Sequence, residues 1–293
     1  MPVPVPEPVR LEEPIVGSVF LEELLRERLA SGAVAVEIGC GLGSTPHLAD
    51  LCAERGALLY AVDTSPTKLA MSREATRESA ALRTVQERGE DFLRSQQGEI
   101  AFVYLDNYDW VDSATDTSGS YPSGLSKRES ELVHLEQALL LLPKLCAGAL
   151  VAVDNTWFVE REPPGGKRLR DQAAFARCDT ETILRDYDVL GKGSLAVPYL
   201  LSLGFQVAAF VEWPVSTQVL LRGPVAGEAP PSGSYGEGYF EELLREHRLV
   251  TYPSSPRGQR IARARLEARW ALLTLRGRLR LRTRLRALRR RLP

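Results

Sequence analysis

The feature that most constrains the fold is an alternation of apolar, β-branched runs with amphipathic segments between residues 20 and 158. Runs such as AVAVEIG, ALLYAVD and IAFVYLDN predict buried strands, and the segments between them carry apolar residues at helical spacing. This order is typical of a doubly wound, Rossmann-like, mostly parallel sheet with helices on both faces. Two later runs, FQVAAFVEW and TQVLLRG, indicate a hairpin that adds an antiparallel edge strand. We therefore predict an α/β fold, followed by a basic helical tail.

Composition and charge divide the 293-residue chain into segments. After residue 256 the sequence holds fourteen Arg, no Lys and one acid, so the rest carries about -14 of the total of -1. We predict an extended N-terminal segment over 1–17, an α/β domain over 18–223 with a lid-like insertion over 111–130, a linker with a short helix over 224–256 and an Arg-rich amphipathic tail over 257–293. The tail suits an anionic membrane surface, an acidic protein surface or a solvated extension. Nucleic acid is the least favoured partner, because no base-recognition motif accompanies the tail.

The four cysteines lack the spacing of a metal or redox site, and no apolar run is long enough to span a bilayer. The N-terminal residues also lack the pattern of a signal peptide. We predict a cytoplasmic protein with reduced thiols. The protein is either free in the cytoplasm or held at the membrane surface by its tail. The sequence leaves open whether the chain is a monomer or a homodimer.

A glycine-rich turn follows the first strand of the α/β domain. Gly39, Gly41 and Gly43 stand between this strand and a helix, where glycine permits a tight turn and close approach of a ligand to the backbone. Glu37 precedes the turn, and Asp63 ends the next strand. An acid at the end of this next strand, the place of Asp63, can accept hydrogen bonds from both ribose hydroxyls of an adenosine. The sequence therefore predicts a nucleoside-containing cofactor.

The stretches VAVEIGCGLGS, YAVDTSP and RGEDF together resemble the first motifs of class I S-adenosylmethionine-dependent methyltransferases, in matching order over roughly residues 20–222. The resemblance implies S-adenosyl-L-methionine as cofactor. It places Glu37, Gly39 and Gly41 around the methionine part, Asp63 at the ribose, and Asp91 with Phe92 at the adenine. A Rossmann-like enzyme that uses NAD is the alternative, but the glycine spacing and Glu37 fit it less well.

Two strand ends, VYLDNYDW and VAVDNTWF, resemble those of cation-dependent O-methyltransferases of the catechol and caffeoyl-CoA type and of relatives that tailor antibiotics or sugars. The resemblance implies Asp106, Asp154 and Asn155 as metal ligands, with Trp157 nearby and Asn107 incidental. Carboxylate and amide oxygens independently suit Mg²⁺, Ca²⁺ or Mn²⁺. Two alternatives stay open: Asp106 as a hydrogen-bonding partner of substrate or cofactor, and Asn155 as a turn residue.

The catalytic base is less well defined than the metal ligands. Where the catechol-type enzymes have a lysine, this chain has Asp109, and His134 on the helix after the insertion is a second candidate. We expect a methyltransferase that uses a divalent cation to methylate a hydroxyl of a small molecule, a secondary metabolite or sugar. The alternatives are a metal-free O- or N-methyltransferase with Asp106 or His134 as base, and a non-catalytic Rossmann-like binding protein anchored by its basic tail.

Overall fold

A computed structural model describes residues 7–107, 127–161, 166–176, 178–211 and 217–225. The strands are β1 (Val9–Leu11), β2 (Val34–Ile38), β3 (Leu58–Val62), β4 (Leu82–Val85), β5 (Ile100–Leu105), β6 (Leu145–Asp154), β7 (Thr156–Phe158), β8 (Val189–Gly191), β9 (Gln206–Val211) and β10 (Gln218–Arg222). The helices are α1 (Val19–Arg28), α2 (Thr45–Arg55), α3 (Pro66–Ala75), α4 (Gly89–Ser95), α5 (Lys127–Leu141), α6 (Lys167–Phe175), α7 (Thr180–Asp186) and α8 (Ala196–Ser202), and a 3₁₀ turn, Leu142–Lys144, follows α5. The predicted tail, the linker from residue 226, Asp109 and most of the insertion lie outside the described residues.

Eight strands form the central sheet, in the order β1-β9-β10-β6-β5-β2-β3-β4. Strand β10 pairs antiparallel with both β6 and β9, and every other pair is parallel. Seven of the eight strands therefore point the same way. The predicted doubly wound, mostly parallel fold with an antiparallel strand is confirmed.

The sequence predicted that the antiparallel strand would lie at the edge of the sheet. Instead, β10 lies inside the sheet, between β6 and β9. β9 and β1 lie beyond it, because the N-terminal extended segment pairs with β9 through Val9, Arg10 and Leu11. The pairing of β1 depends on residues at opposite ends of the α/β domain. Local sequence pattern therefore could not place this strand.

Local sequence explains why the elements form where they do. All six residues of β5 are buried, as expected of a parallel strand covered on both faces. Helix α3 begins at Pro66, whose ring fixes a helical φ, and the hydroxyl of Ser65 accepts the Lys68 N–H. Helix α2 ends at Gly56, which has a left-handed φ of 65°.

A second, smaller unit follows β6. Strands β7 and β8 form an antiparallel pair, and a separate apolar cluster packs there, formed by Trp157, Val159, Leu169, Ala173, Ile183 and Leu190. This smaller unit carries the chain from the end of β6 through α6 and α7 and back to the same edge of the sheet. The four cysteines, all within the described residues, form no disulfide. None of the described helices has the length and apolar character needed to cross a bilayer.

Candidate functional site

The carboxyl ends of the parallel strands gather the predicted site residues at one edge of the sheet. A cleft there is lined by Ile38, Gly39, Val62, Asp63, Thr64, Glu87, Gly89 and Asn107. In doubly wound sheets ligands bind outside the carboxyl ends of the strands, where the strand order reverses. That reversal lies here between β2 and its two neighbours, β3 and β5. The structure thus brings Gly39 and Asp63 together, as predicted.

The glycines of the turn after β2 have different roles. Gly39 has a φ of +91°, and a Cβ at this position would lie 2.4 Å from the backbone oxygen of Asp106. No atom of the described residues lies within 4 Å of the place where a Cβ of Gly41 would be. Backbone geometry and packing therefore require glycine at position 39, whereas Gly41 borders open space that a ligand can approach.

Glu37 organises this turn from below. The side chain is fully buried and accepts hydrogen bonds from the hydroxyls of Ser44 and Thr45, the latter at 2.6 Å. Thr45 Oγ1 in turn accepts the backbone N–H of Gly41 at 3.0 Å. Burial raises the pKa of Glu37 to about 7, and the two hydroxyls oppose the rise. In the structure the carboxyl group of Glu37 contacts the hydroxyls of Ser44 and Thr45. Its contact with a methionine moiety stays a prediction.

We expect Glu37 to make the protein less stable as the pH rises. Its raised pKa means that the folded chain holds the proton of Glu37 more tightly than the unfolded chain does, so protonation stabilises the fold. This stabilisation is complete below pH 4.5, the pKa of the group in the unfolded chain, and it is lost as the pH rises to about 7. Glu37→Gln lacks this titration, so its free energy of unfolding should gain on the wild type by up to about 3 kcal/mol between pH 5 and pH 8. Urea denaturation at several pH values measures the difference. Glu54→Gln, at an exposed ion pair with Arg26, is the control; parallel wild-type and Glu37→Gln curves would contradict the expectation.

Asp63 presents its carboxylate to the cleft at the end of β3. Oδ1 accepts the N–H of Ser65 at 2.7 Å, and Oδ2 lies 3.9 Å from Lys68 Nζ. The side chain is only 5% exposed, and burial raises its pKa while these partners lower it. The carboxylate is therefore held in one orientation by helix α3, as a ribose ligand would require.

Asp91 and Phe92 do not line the cleft. Asp91 lies in the first turn of α4, half-exposed, and pairs with Arg94 at 2.6 Å. Phe92 is buried against Tyr60, with ring centroids 5.5 Å apart. Glu87 and Gly89, which come just before Asp91 in the chain, line the cleft instead. A contact of Asp91 or Phe92 with adenine stays a prediction.

Asn107 is a site residue that the sequence analysis dismissed. It lines the cleft beside Gly39, and its side chain is 7% exposed. Its Oδ1 atom is buried without a hydrogen-bond partner within the described part of the chain. A buried polar atom without a partner is costly unless a ligand or water satisfies it. The signal in the sequence was its place directly after a strand end, next to Asp106.

Asp106 and Asp154 approach each other across β5 and β6, and a lysine lies against both. Lys192 Nζ is 3.1 Å from Asp106 Oδ1 and 3.9 Å from Asp154 Oδ2, and its side chain is fully buried. Burial raises the pKa of Asp106 well above its usual range; the Lys192 ammonium opposes this rise and the Asp154 charge adds to it. The sequence analysis missed Lys192, because nothing in the stretch around GKG indicates that a lysine there is buried.

The other oxygen of Asp154 is also engaged. Gln218 Nε2 donates to Asp154 Oδ1 at 2.8 Å, and the hydroxyl of Tyr104 donates to the same atom at 3.1 Å. Gln218 is anchored in turn, since its Oε1 accepts the N–H of Ile15 at 2.6 Å. Asp154 is thus held by hydrogen bonds from β5 and β10, and Gln218 on β10 is itself tied to the segment before α1.

These residues do not fit the predicted divalent metal. A cation bridging Asp106 and Asp154 would lie about 2.0–2.6 Å from their oxygens, next to the ammonium of Lys192, which would repel it. Asn155 has a φ of 46°, a left-handed conformation that Asn tolerates, and it forms the turn between β6 and β7. Among the described residues no group of three or more His, Cys, Asp or Glu side chains is arranged to hold a metal ion. The described residues therefore do not support the metal assignment, because Lys192 lies where the cation would lie, and the turn interpretation of Asn155 matches its backbone.

His134 is not placed to act as a base. It is fully buried on α5, and its Nδ1 donates to the backbone oxygen of Ser130 at 2.8 Å. A general base must reach the proton that it removes. Asp109, the other alternative, lies outside the described residues.

No protein-family model and no curated protein matches the sequence. Several solved structures are similar to it, at low identity and low TM-score. An rRNA methylase from Streptococcus thermophilus is 13% identical with a TM-score of 0.40, covering 70% of this chain and 95% of that one. SMU.1697c from Streptococcus mutans, in complex with SAH, is 14% identical with a TM-score of 0.42, covering 72% and 98%. The N-methyltransferase NodS from Bradyrhizobium japonicum is 13% identical with a TM-score of 0.38, covering 69% and 93%. TM-scores of this size are too low to assign a family or an activity.

Proposed function

We propose that the protein is an S-adenosylmethionine-dependent methyltransferase that methylates a hydroxyl group of a small molecule and uses Asp106 as the base. The observation that carries the proposal is the convergence of three features at one strand edge: the turn at Gly39, the oriented carboxylate of Asp63, and the carboxylate of Asp106. Gly39 packs directly on the backbone of Asp106, so the cofactor cleft and the base are adjacent.

The residues around the cleft suit the proposed cofactor. Asp63 can accept hydrogen bonds from the ribose hydroxyls, the Oδ1 atom of Asn107 can accept another, and the open space at Gly41 lets a ligand reach the backbone. When bound, S-adenosylmethionine supplies an electrophilic methyl group on a sulfonium. The chain supplies orientation and a proton acceptor, which is the division of labour expected of a cofactor enzyme.

Asp106 has the properties of a base for this reaction. Its side chain is 29% exposed, so an acceptor can reach it, while Lys192 holds one of its oxygens. Its raised pKa makes the carboxylate a stronger proton acceptor than an exposed aspartate. In this position Asp106 would take the proton of the acceptor hydroxyl as the methyl group passed from sulfur to the acceptor oxygen, and S-adenosylhomocysteine would leave together with the methylated acceptor.

The other functional hypotheses are less well supported. Metal-assisted methylation requires a cation where the Lys192 ammonium lies. An NAD enzyme of the doubly wound class has the strand order 3-2-1-4-5-6. Here β4-β3-β2-β5-β6 match the first five positions, but the sixth is the antiparallel β10. Against a non-catalytic binding protein, the partly exposed carboxylate of Asp106 lies next to the cleft with one of its oxygens held by Lys192.

Calorimetric titration with S-adenosylmethionine tests the proposal directly. We expect the wild type to bind it, and Asp63→Ala to weaken binding by about 10- to 100-fold, because a hydrogen bond to a charged group contributes about 1.5–3 kcal/mol. Asp91→Ala is the matched control: its carboxylate pairs with Arg94 outside the cleft, so its affinity should stay near that of the wild type. A wild type that binds no S-adenosylmethionine contradicts the proposal.

A further inference from the structure

Lys192 is held in place by its backbone as well as by its charge. Its N–H donates to the backbone oxygen of Asn155 at 3.0 Å, and the N–H of Gly193 donates to Thr156 Oγ1 at 2.9 Å. A Cβ at Gly191 would lie 1.8 Å from that same Asn155 oxygen, and one at Gly193 would lie 2.7 Å from Thr156 Oγ1. The turn after β8 therefore packs so tightly on the turn after β6 that only glycine fits on either side of the lysine.

This packing places a cation beneath the two carboxylates. The Lys192 side chain is 0% exposed, whereas those of Asp106 and Asp154 are 29% and 16% exposed. The ammonium is thus shielded from solvent, whereas both carboxylates paired with it are partly exposed. A lysine buried this completely requires paired anions, because an isolated buried charge is prohibitively costly.

We propose that the Lys192 ammonium is a built-in cation that takes over the charge of a divalent metal at this site. It offsets part of the repulsion between Asp106 and Asp154, and it fixes the orientation from which Asp106 receives the acceptor's proton. Lys192 is therefore a positioning residue, and the protein needs no metal ion. This rests on the proposed function only where it concerns the acceptor; the displacement of the metal is independent of it.

Titration of the full chain with Mn²⁺, followed by electron paramagnetic resonance, tests the inference without any assay of activity. We expect no saturable Mn²⁺ binding to the wild type or to Lys167→Met, which makes the same charge change at an exposed ion pair with Asp171. Lys192→Met should bind one Mn²⁺, and Lys192→Met/Asp154→Asn should lose that binding again. A wild type that binds one Mn²⁺, and loses it on Asp154→Asn, overturns the inference whether or not the lysine variants fold.

Activity gives a second readout that a merely structural lysine would not affect. In Lys192→Met, kcat should fall while the affinity for S-adenosylmethionine stays near the wild-type value, and added Mg²⁺ should restore kcat by about tenfold or more. Mg²⁺ and EDTA should leave the wild type unchanged. Loss of wild-type activity in EDTA overturns the inference. Absence of S-adenosylmethionine binding would instead defeat the proposed function, and the Mn²⁺ titration would still decide the role of Lys192.

Discussion

Asp106→Asn is expected to lower kcat by about 10²- to 10⁴-fold, the usual contribution of a positioned general base. The amide has nearly the same shape as the carboxylate but cannot accept the acceptor's proton. Binding of S-adenosylmethionine should change little, because the cleft is lined by Gly39, Asp63 and Asn107 rather than by the Asp106 side chain. Single-turnover kinetics together with calorimetry separate the two effects.

The pH dependence of the wild type provides an internal check on Asp106. Burial raises its pKa, so the carboxylate becomes an active base only as the pH rises through that raised value. Activity should therefore increase with pH across this range, and Asp106→Asn should lose that limb of the profile. Asp188→Asn, at an exposed carboxylate paired with Arg161, is the control and should keep it. Full activity in Asp106→Asn would exclude this residue as the base.

Gly39→Ala and Gly41→Ala are expected to separate folding from ligand binding. At position 39 the methyl group would lie 2.4 Å from the backbone oxygen of Asp106, on a residue whose φ of +91° disfavours any side chain. Strain and overpacking each cost about 1–3 kcal/mol, so Gly39→Ala should lose about 2–6 kcal/mol of stability. Chemical denaturation measures the loss directly.

Gly41→Ala is the matched substitution two residues away. Its methyl group meets no atom of the described part of the chain within 4 Å, so the free energy of unfolding should stay close to that of the wild type. The same methyl group would occupy space open to a ligand, so affinity for S-adenosylmethionine should fall. A Gly39→Ala variant as stable as Gly41→Ala would show that the contact between the glycine turn and Asp106 does not constrain the fold.

The α/β architecture and the edge at which the site lies could be predicted from local pattern. Apolar runs such as β2 and β5 are buried on both faces, and parallel strands end at one side of the sheet, so Asp63, Asp106 and Asp154 had to converge. The position of β10 inside the sheet was harder to predict, because β9 and the strand β1 from the N-terminal segment lie beyond it.

Individual roles at the site depended on where each side chain points. Phe92 and His134 have residue types suited to binding or catalysis, yet both are buried in the helical layers. Asn107 looked incidental beside Asp106, yet it lines the cleft, and its buried Oδ1 has no hydrogen-bond partner among the described residues. Successive residues of a helix are rotated by about 100° around its axis. An error of one position in a predicted helix therefore changes whether a side chain is expected to face the ligand or the core.

The sequence by itself determined the alternation of strands and helices and the edge where the acids gather, because both follow from the periodicity of apolar residues within short segments. Only the tertiary structure showed that the positive charge of Lys192 lies against the carboxylates of Asp106 and Asp154. Lys192 is far from Asp106 and Asp154 along the chain, and it meets them because its turn packs on Asn155 and Thr156. Electrostatic energy depends on distance and burial, and neither can be read from residue spacing.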